Sequence, residues 1–320
     1  MAHLSVRTQA MPDANPFASP VVFDFTADID SGEQILAYAV AMSGFVLNYQ
    51  TNSAWWAEDA GAVGVSLTPN LIGTVVAVGG NVMLTDYDGD SAIDPPDSDS
   101  GPGSVAQVSV LAVIGTPYTS APVCATAFGL TSGHDSSVVP IGDNTTSLAF
   151  LSGFSVAASD GTGEIGGLTL TSSVASPVGN QVTVNGSVGL TNFSTTGTVD
   201  VGLLSYGTNL VGFDVQAASV IWLVPEGQQG MTGMFFVDFT IPSGYSSIAQ
   251  AALLLQDVSI VYDDTAEFQL IQVMQAGDLS INACTVSGSV VLNLVNPDTG
   301  AHHYICGDSS ATLSVIAQFA

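Results

Sequence analysis

Runs of Val, Ile, Thr and Leu four to eight residues long recur along the whole chain, each closed by Gly, Asp, Ser, Asn or Pro. Thr74 to Gly79, Gln181 to Val188 and Ala311 to Ala317 alternate apolar with polar or run apolar throughout. That pattern suits a pleated, half-buried surface, whereas a helix needs apolar residues at i, i+3, i+4 and i+7. No sustained helical pattern is evident. Only Ser31 to Met42 and Ser247 to Leu255 gather enough Ala, Leu and Gln for helical turns, and both fit strands equally. Asp-Gly, Thr-Gly, Ser-Gly and Asn-Gly clusters separate the runs at hairpin spacing. The chain is therefore expected to be nearly all-β and antiparallel.

The runs also recur in a fixed order. The first copy opens with Val22-Phe23-Asp24-Phe25-Thr26 and the third with Val237-Asp238-Phe239-Thr240, with Val123 to Leu130 as a weaker middle counterpart. A second landmark follows in each: Ser43-Gly44-Phe45, Ser152-Gly153-Phe154 and Gln256-Asp257-Val258. Phe45, Phe154 and Val258 stand 109 and 104 residues apart, the length of one sandwich domain. A long strand bent at Gly follows in each copy (75–84, 182–190 and 285–292), then a closing strand (108–114, 199–204 and 313–316). The loop before the closing strand differs from copy to copy.

This order predicts three tandem antiparallel β-sandwiches, Ig-like or jelly-roll-like, related by internal repeat. Residues 1–20 are expected to form an extended, Pro-containing N-terminal arm, followed by sandwiches at 21–116, 117–218 and 219–320. Gly115 to Pro122 serves as the first linker, while Ile221-Trp222-Leu223-Val224 is itself strand-like and blurs the second join.

Charge narrows the partners. Arg7 is the only basic side chain apart from four histidines, against 28 carboxylates, so the net charge is −27. Average usage supplies about 35 Lys and Arg in a chain this size. Phosphate binding requires clustered cations, so nucleic acid and anionic lipid are excluded as partners. The acid count is ordinary and the bases are missing, unlike the added carboxylates of a salt-adapted protein. Of the acids 23 are Asp, a turn former, and five are Glu. With 9% charged residues the surface lacks the mixed charge that keeps a monomer solvated, which points to cover by neighbouring copies.

No stretch of 18 apolar residues occurs, so no membrane insertion is expected. Met1 to Pro20 holds Arg7 but no apolar h-region, which predicts a non-classical export route or release by lysis. Cys124, Cys284 and Cys306 are too few for a disulfide scaffold. Cys124, within an apolar run, is expected to be a small buried hydrophobe. Cys284 and Cys306 are either free or an oxidised cross-strand pair.

The sharpest local signal is Asp86-Tyr-Asp88-Gly-Asp90-Ser-Ala-Ile-Asp94, with Asp97 and Asp99 beyond. Carboxylates at i, i+2, i+4 and i+8 around a Gly can curl about Ca²⁺, which takes six to eight oxygen ligands. Asp86, Asp88, Asp90 and Asp94 are the candidate metal ligands and calcium the candidate ion; the other reading is an unoccupied acidic hairpin loop. The spacing resembles the Asp-x-Asp-x-Asp calcium loops of thrombospondin-type and dockerin-type modules over nine residues, and the resemblance implies nothing about the rest of the chain. Gly161-Thr-Gly163-Glu-Ile-Gly166 matches a dinucleotide fingerprint but leads into a strand instead of a helix. His302-His303 and Trp55-Trp56 lie in loops; the tryptophans fit packing against another subunit or stacking on sugars. Asn144, Asn185 and Asn192 head glycosylation sequons. No catalytic spacing is present.

These features predict a non-enzymatic structural subunit of an extracellular filament, sheath or surface layer. Its partners are copies of itself, with strand exchange through the arm and support from calcium. A virus or phage structural protein and a secreted adhesin that binds surface glycans are the alternatives.

Overall fold

A computed structural model describes residues 1–11, 20–48, 60–86, 104–117, 122–131, 135–158, 167–190, 195–222, 230–261, 270–295 and 309–320. The first third supplies β1 (Ala2–Met11), β2 (Val21–Asp24), a 3-10 turn (Thr26–Asp28), β3 (Gln34–Asn48), β4 (Ala60–Ile72), β5 (Val75–Asp86) and β6 (Val105–Gly115). The middle supplies β7 (Val123–Thr131), β8 (Asp135–Pro140), β9 (Thr146–Ala158), β10 (Gly167–Val174), β11 (Gln181–Leu190) and β12 (Thr195–Tyr206). The last supplies β13 (Leu210–Val211), β14 (Phe213–Trp222), β15 (Gly230–Asp238), β16 (Ile248–Val261), β17 (Leu270–Gln275), β18 (Ser280–Asn282), β19 (Thr285–Val295) and β20 (Ser309–Phe319). The expected all-β character holds: among the described residues the only helix is the 3-10 turn, and no helix is long and apolar enough to cross a membrane.

The strands form three sheets. Their orders are β13-β1-β6-β3-β17-β19-β15 (with β18 also on β19), β2-β5-β4-β9-β12-β7 and β14-β20-β16-β10-β11-β8. All pairings are antiparallel except a two-residue parallel contact between β1 and β13. Each sheet joins three neighbouring strands of one third of the chain to three of another. Thus β3 pairs with β6 on one side and with β17 on the other, β9 with β12 and β4, and β16 with β20 and β10. Three self-contained tandem sandwiches are not confirmed, because every sheet continues across two thirds of the chain. The N-terminal arm is extended over Ala2–Met11, but it pairs with β6 of its own chain along nearly its whole length. Ala2, Leu4 and Val6 are buried there in one cluster, since positions at period two share a face of the strand, while Met11, of opposite parity, joins the main core.

Strands β3, β9 and β16 sit at the centre and are buried on both faces. Val40 and Met42 belong to the main core, whereas Ala39 and Ala41, pointing the other way, join Leu148, Phe150, Ala252 and Leu254 in a second cluster where the three thirds meet. Burial on both faces explains why Ser31 to Met42 and Ser247 to Leu255 show no clean alternation and read equally as helix.

The second sequence landmark is a β-bulge repeated three times. The register shifts at Met42/Gly44 of β3, at Asp200/Val201 opposite β9, and at Leu255/Asp257 of β16, leaving Ser43, Ser152 and Gln256 as the extra residues. Two of the bulges free a polar side chain that reaches the backbone of the next central strand directly, and the third does so through Ser109. Ser152 donates to the carbonyl of Val40, and Gln256 Nε2 to that of Ala149 at 3.2 Å. Ser43 Oγ lies 2.5 Å from Ser109 Oγ, which donates to the carbonyl of Leu253 at 3.4 Å. Val40, Ala149 and Leu253 each stand three residues before the bulge of their own strand, so the contacts close into a ring.

The first landmark is equivalent in the first and last copies and displaced in the middle one. The N–H groups of Phe25 and Phe239 donate to the carbonyls of Thr74 and Cys284, just ahead of β5 and β19. The corresponding bond in the middle third runs from Ile141 N to Asn180 O, at 2.8 Å. The middle counterpart is therefore Val139-Pro140-Ile141, and Val123 to Leu130 is instead the edge strand β7, which pairs with β12.

Candidate functional site

At two places a strand at or next to the end of a sheet runs beside the first half of a central strand from a different third, and each of these seams opens into a groove. The first, about 420 Å³, is lined by Val6–Ala10 of β1, Gln107, Ala249–Ala252 of β16 and residues around the β17–β18 turn. The second, about 480 Å³, is lined by Leu36–Val40 of β3, Pro69 and Leu71 of β4, and Cys124, Ala125, Thr126 and Phe128 of β7. The pairing registers make the two equivalent. Arg7 faces Val110 in β6 as Ala125 faces Leu203 in β12, and Ala37 faces Val113 as Gln250 faces Gln318.

Sequence differences give these grooves opposite chemistry. In the first, Arg7 Nη1 donates to Gln250 Oε1 at 3.1 Å and Nη2 approaches Asp28 Oδ2 at 2.5 Å. Its guanidinium carbon lies 5.5 Å from the centroid of the Phe25 ring, and Ser5 also donates to Asp28, at 2.7 Å. The chain's single guanidinium thus joins β1, the 3-10 turn and β16, with only a quarter of its side chain exposed. Gln107 Oε1, buried at this groove, has no hydrogen-bond partner.

In the second groove Ala125 and Ala37 replace Arg7 and Gln250, and no lining residue carries a charge. Burial pushes the Cys124 thiol up to about 12, which keeps it protonated at neutral pH. Cys124 is half-buried and packs against the second core cluster, close to the small buried hydrophobe expected of it. Phe128 stands at the rim, 68% exposed. It lies in a bulge of β7 made with Gly129 (φ +66°), whose N–H donates to Asp200 Oδ1 at 2.8 Å.

A further apolar feature occupies the corner where β14 meets β15. The two edge strands approach closely, a Cβ on Gly233 falling 1.9 Å from Val220 Cγ1, and Trp222 Nε1 donates to the carbonyl of Val290 at 3.1 Å. Inward positions of β15 are buried, while Met234 and Phe236 on its outer face are 67% and 69% exposed. Their cross-strand neighbours in β19 are Ser289 and Ser287, and the same outer face ends in Asp238, which accepts from Thr285 Oγ1 at 2.7 Å.

The loop candidates fare differently. Asp86 ends β5, and Asp88, Asp90 and Asp94 lie outside the described residues, as do Asp97, Asp99, Trp55-Trp56, Gly161 to Gly166, His302-His303 and Cys306. Cys284 sits half-buried in the tight turn into β19 as a free thiol. Among the described residues no group of three or more His, Cys, Asp or Glu could hold a metal ion. The strand ends flanking 49–59, 87–103, 159–166, 191–194, 262–269 and 296–308 share an end of the sheets, since Leu270 pairs with Asn48 and Val295, Ala62 with Ala157, and Gly167 with Val261. Those six segments carry half of the 28 carboxylates.

Of the sequons, Asn144 spends its amide N–H on the carbonyl of Ser205 at 3.0 Å, Asn185 lies within the regular strand β11, and Asn192 is outside the described residues. Asp257 is a carboxylate held above its usual range. Burial raises it, opposed by the Ser172 N–H at 2.9 Å and by Thr312. Sequence reasoning missed both grooves, because each is built from segments far apart in the chain; the unpaired Phe128 beside Gly129 was the only local sign of one. No protein-family model matches the chain, and no curated protein matches it.

Proposed function

We propose that the chain is a non-enzymatic structural subunit that assembles with copies of itself into an extracellular filament, sheath or surface layer. One observation carries the reading: the only side-chain cation outside histidine is consumed inside the molecule by Asp28, Gln250 and Phe25. What remains for contact is carboxylate or neutral surface, with large apolar side chains standing on edge strands. A like-charged copy docks through neutral patches and leaves its carboxylates in solvent or bound to cations. Calcium, with Asp86, Asp88, Asp90 and Asp94 as the candidate ligands, is proposed to offset repulsion between the acid-rich ends.

In this reading each third of the chain is one β-sandwich of a tandem set, its two half-sheets shared sideways with its neighbours. Support comes from packing inside the last and the middle third: Trp222 of β14 bonds Val290 of β19, and a Cβ on Gly186 of β11 would meet Val199, Val201 and Leu130. Strand exchange through residues 2–11 drops out of the proposal, because β1 already spends its ladder on β6.

Negative-stain microscopy and sedimentation of the purified chain, with calcium and after exhaustive chelation, test the proposal. Ordered polymers that dissolve on chelation are expected. A stable 32.5 kDa particle in calcium overturns it. Closed shells favour a virus structural role, and a monomer that binds glycans favours an adhesin.

A further inference from the structure

Independently of the polymer reading, we propose that the polar groove beside β1 binds a neutral, hydroxyl-rich ligand of the carbohydrate class, with Gln107, Gln250, Gln275 and Asp278 as its hydrogen-bonding groups. Gln107 carries the inference. It lines the groove, and its Oε1 is closed to solvent without a hydrogen-bond partner, a costly arrangement for a buried acceptor. The same position in the other two thirds is satisfied from within. The residue after each bulge, Gly44, Gly153 or Asp257, faces Gln107 in β6, Asp200 in β12 and Thr312 in β20. Asp200 accepts the Gly129 N–H that the bulge of β7 delivers, at 2.8 Å, and Thr312 donates to Asp257. Gln107 stands between Ala10 and Gly44, neither of which has a polar side chain, and the register of β1 on β6 holds no bulge. The first third thus keeps at its groove an acceptor of the kind that the other two thirds consume.

The neighbouring amides are fixed in complementary senses. Arg7 Nη1 takes the oxygen of Gln250 at 3.1 Å, so what Gln250 can give a ligand is its Nε2 donor. Gln275, only 9% exposed, spends its Nε2 on the carbonyl of Gly277 at 2.7 Å, so what it can give is its Oε1 acceptor. With Gln107 Oε1 and the Asp278 carboxylate, the groove offers acceptors and a donor side by side, which suits hydroxyl groups, each of them donor and acceptor at once. Leu279 and Ile281 give the C–H face of a sugar ring an apolar wall. Anions are disfavoured, because Asp28 matches the charge of Arg7 and Asp278 adds a negative one. A cation would meet a single further carboxylate close to that guanidinium. An extended peptide would need an uninterrupted open edge on β1, and Arg7 takes the Val6 carbonyl at 3.4 Å in the middle of it. The volume, about 420 Å³, falls within the range of ligand pockets, roughly 300–1,000 Å³.

An array of neutral oligosaccharides probed with the whole chain, followed by calorimetric titration of the strongest binder, tests this. Wild type is expected to bind neutral sugars with an affinity that added salt leaves unchanged. Gln107→Met is expected to weaken binding about tenfold, the loss of one buried hydrogen bond, yet to melt at or above wild type, because it removes an acceptor that the fold leaves unpaired. Gln250→Ala, at an exposed position, should weaken binding by a similar factor without moving the melt. Phe128→Ser, in the uncharged groove, should leave binding as it is. An array without a single neutral ligand overturns the inference. So does binding confined to spermine or oligolysine and abolished by salt, which marks a cation site. Sugar binding that both Gln107→Met and Gln250→Ala leave intact belongs to another part of the molecule and overturns it as well. A Gln107→Met melt far below wild type shows that the oxygen serves the fold and removes the central argument. None of these outcomes bears on the subunit role.

Discussion

The Ser152 hydroxyl donates its hydrogen bond to the carbonyl oxygen of Val40, 112 positions earlier in the chain. Gln256 makes the same connection to Ala149, and Ser43 with Ser109 completes the circuit to Leu253. Three bulges on three central strands thereby hold one another in a buried setting, where an unmade hydrogen bond is expensive.

Ser152→Ala is expected to destabilise the chain by about 1–3 kcal/mol, since it orphans a buried carbonyl. Gln256→Ala should act in the same direction. The double variant is expected to cost less than the sum of the singles, because the groups belong to one ring. Urea denaturation midpoints at fixed slope decide this, and strict additivity would show that the contacts act separately.

Gly202 faces the Phe150 ring so closely that an added Cβ would fall 2.0 Å from Cε2. Phe150 is fully buried in the cluster where the three thirds meet and has no room to withdraw. Gly202→Ala is therefore expected to cost roughly 1–3 kcal/mol by overpacking. Adding Phe150→Leu should return part of that loss. Thermal denaturation of the two variants reads the effect.

Asp257 gives a pH signature. Its folded-state value lies above the unfolded 3.8, chiefly through burial, so the native state holds this proton more tightly than the unfolded chain does. Stability from this group is fully present below pH 3.8 and falls as pH rises through the higher folded value, leaving a fixed penalty above it. Asp257→Asn keeps an oxygen for the Ser172 N–H and removes the penalty. The variant is expected to be more stable than wild type at pH 7 and equal to it at pH 3, by urea titration at both.

Cys124 should resist alkylation. With its thiol pushed up to about 12, almost no thiolate exists at pH 8. A short iodoacetamide pulse followed by peptide mass mapping is expected to leave Cys124 largely unlabelled in the native chain and labelled in urea. Native labelling as fast as the denatured rate would refute the burial.

Strand content was legible because period-two alternation and Gly or Asp turns are local properties. The bulge landmark was legible too: Ser43-Gly44-Phe45 and Ser152-Gly153-Phe154 repeat because the same irregularity needs a small residue and a polar side chain at the same place. The middle opening was misassigned to Val123 to Leu130, since Val139-Pro140-Ile141 lacks the Phe-Asp-Phe pattern and reveals itself only through the Ile141 N–H bond to Asn180. The Asp86 to Asp94 motif was plain in the sequence as chemistry, but its spacing alone could not tell an ion-binding loop from a solvated one.

Antiparallel strands in three related stretches, with one guanidinium among 28 carboxylates, could be read from the residues, because alternation, turn residues and charge are local properties. That β3 pairs with β17, β9 with β4 and β16 with β10, and that Arg7 is bound to Asp28, follows from long-range packing alone. An open strand edge offers the same N–H and C=O groups whatever its side chains, so its partner is chosen by how the faces pack across the whole molecule.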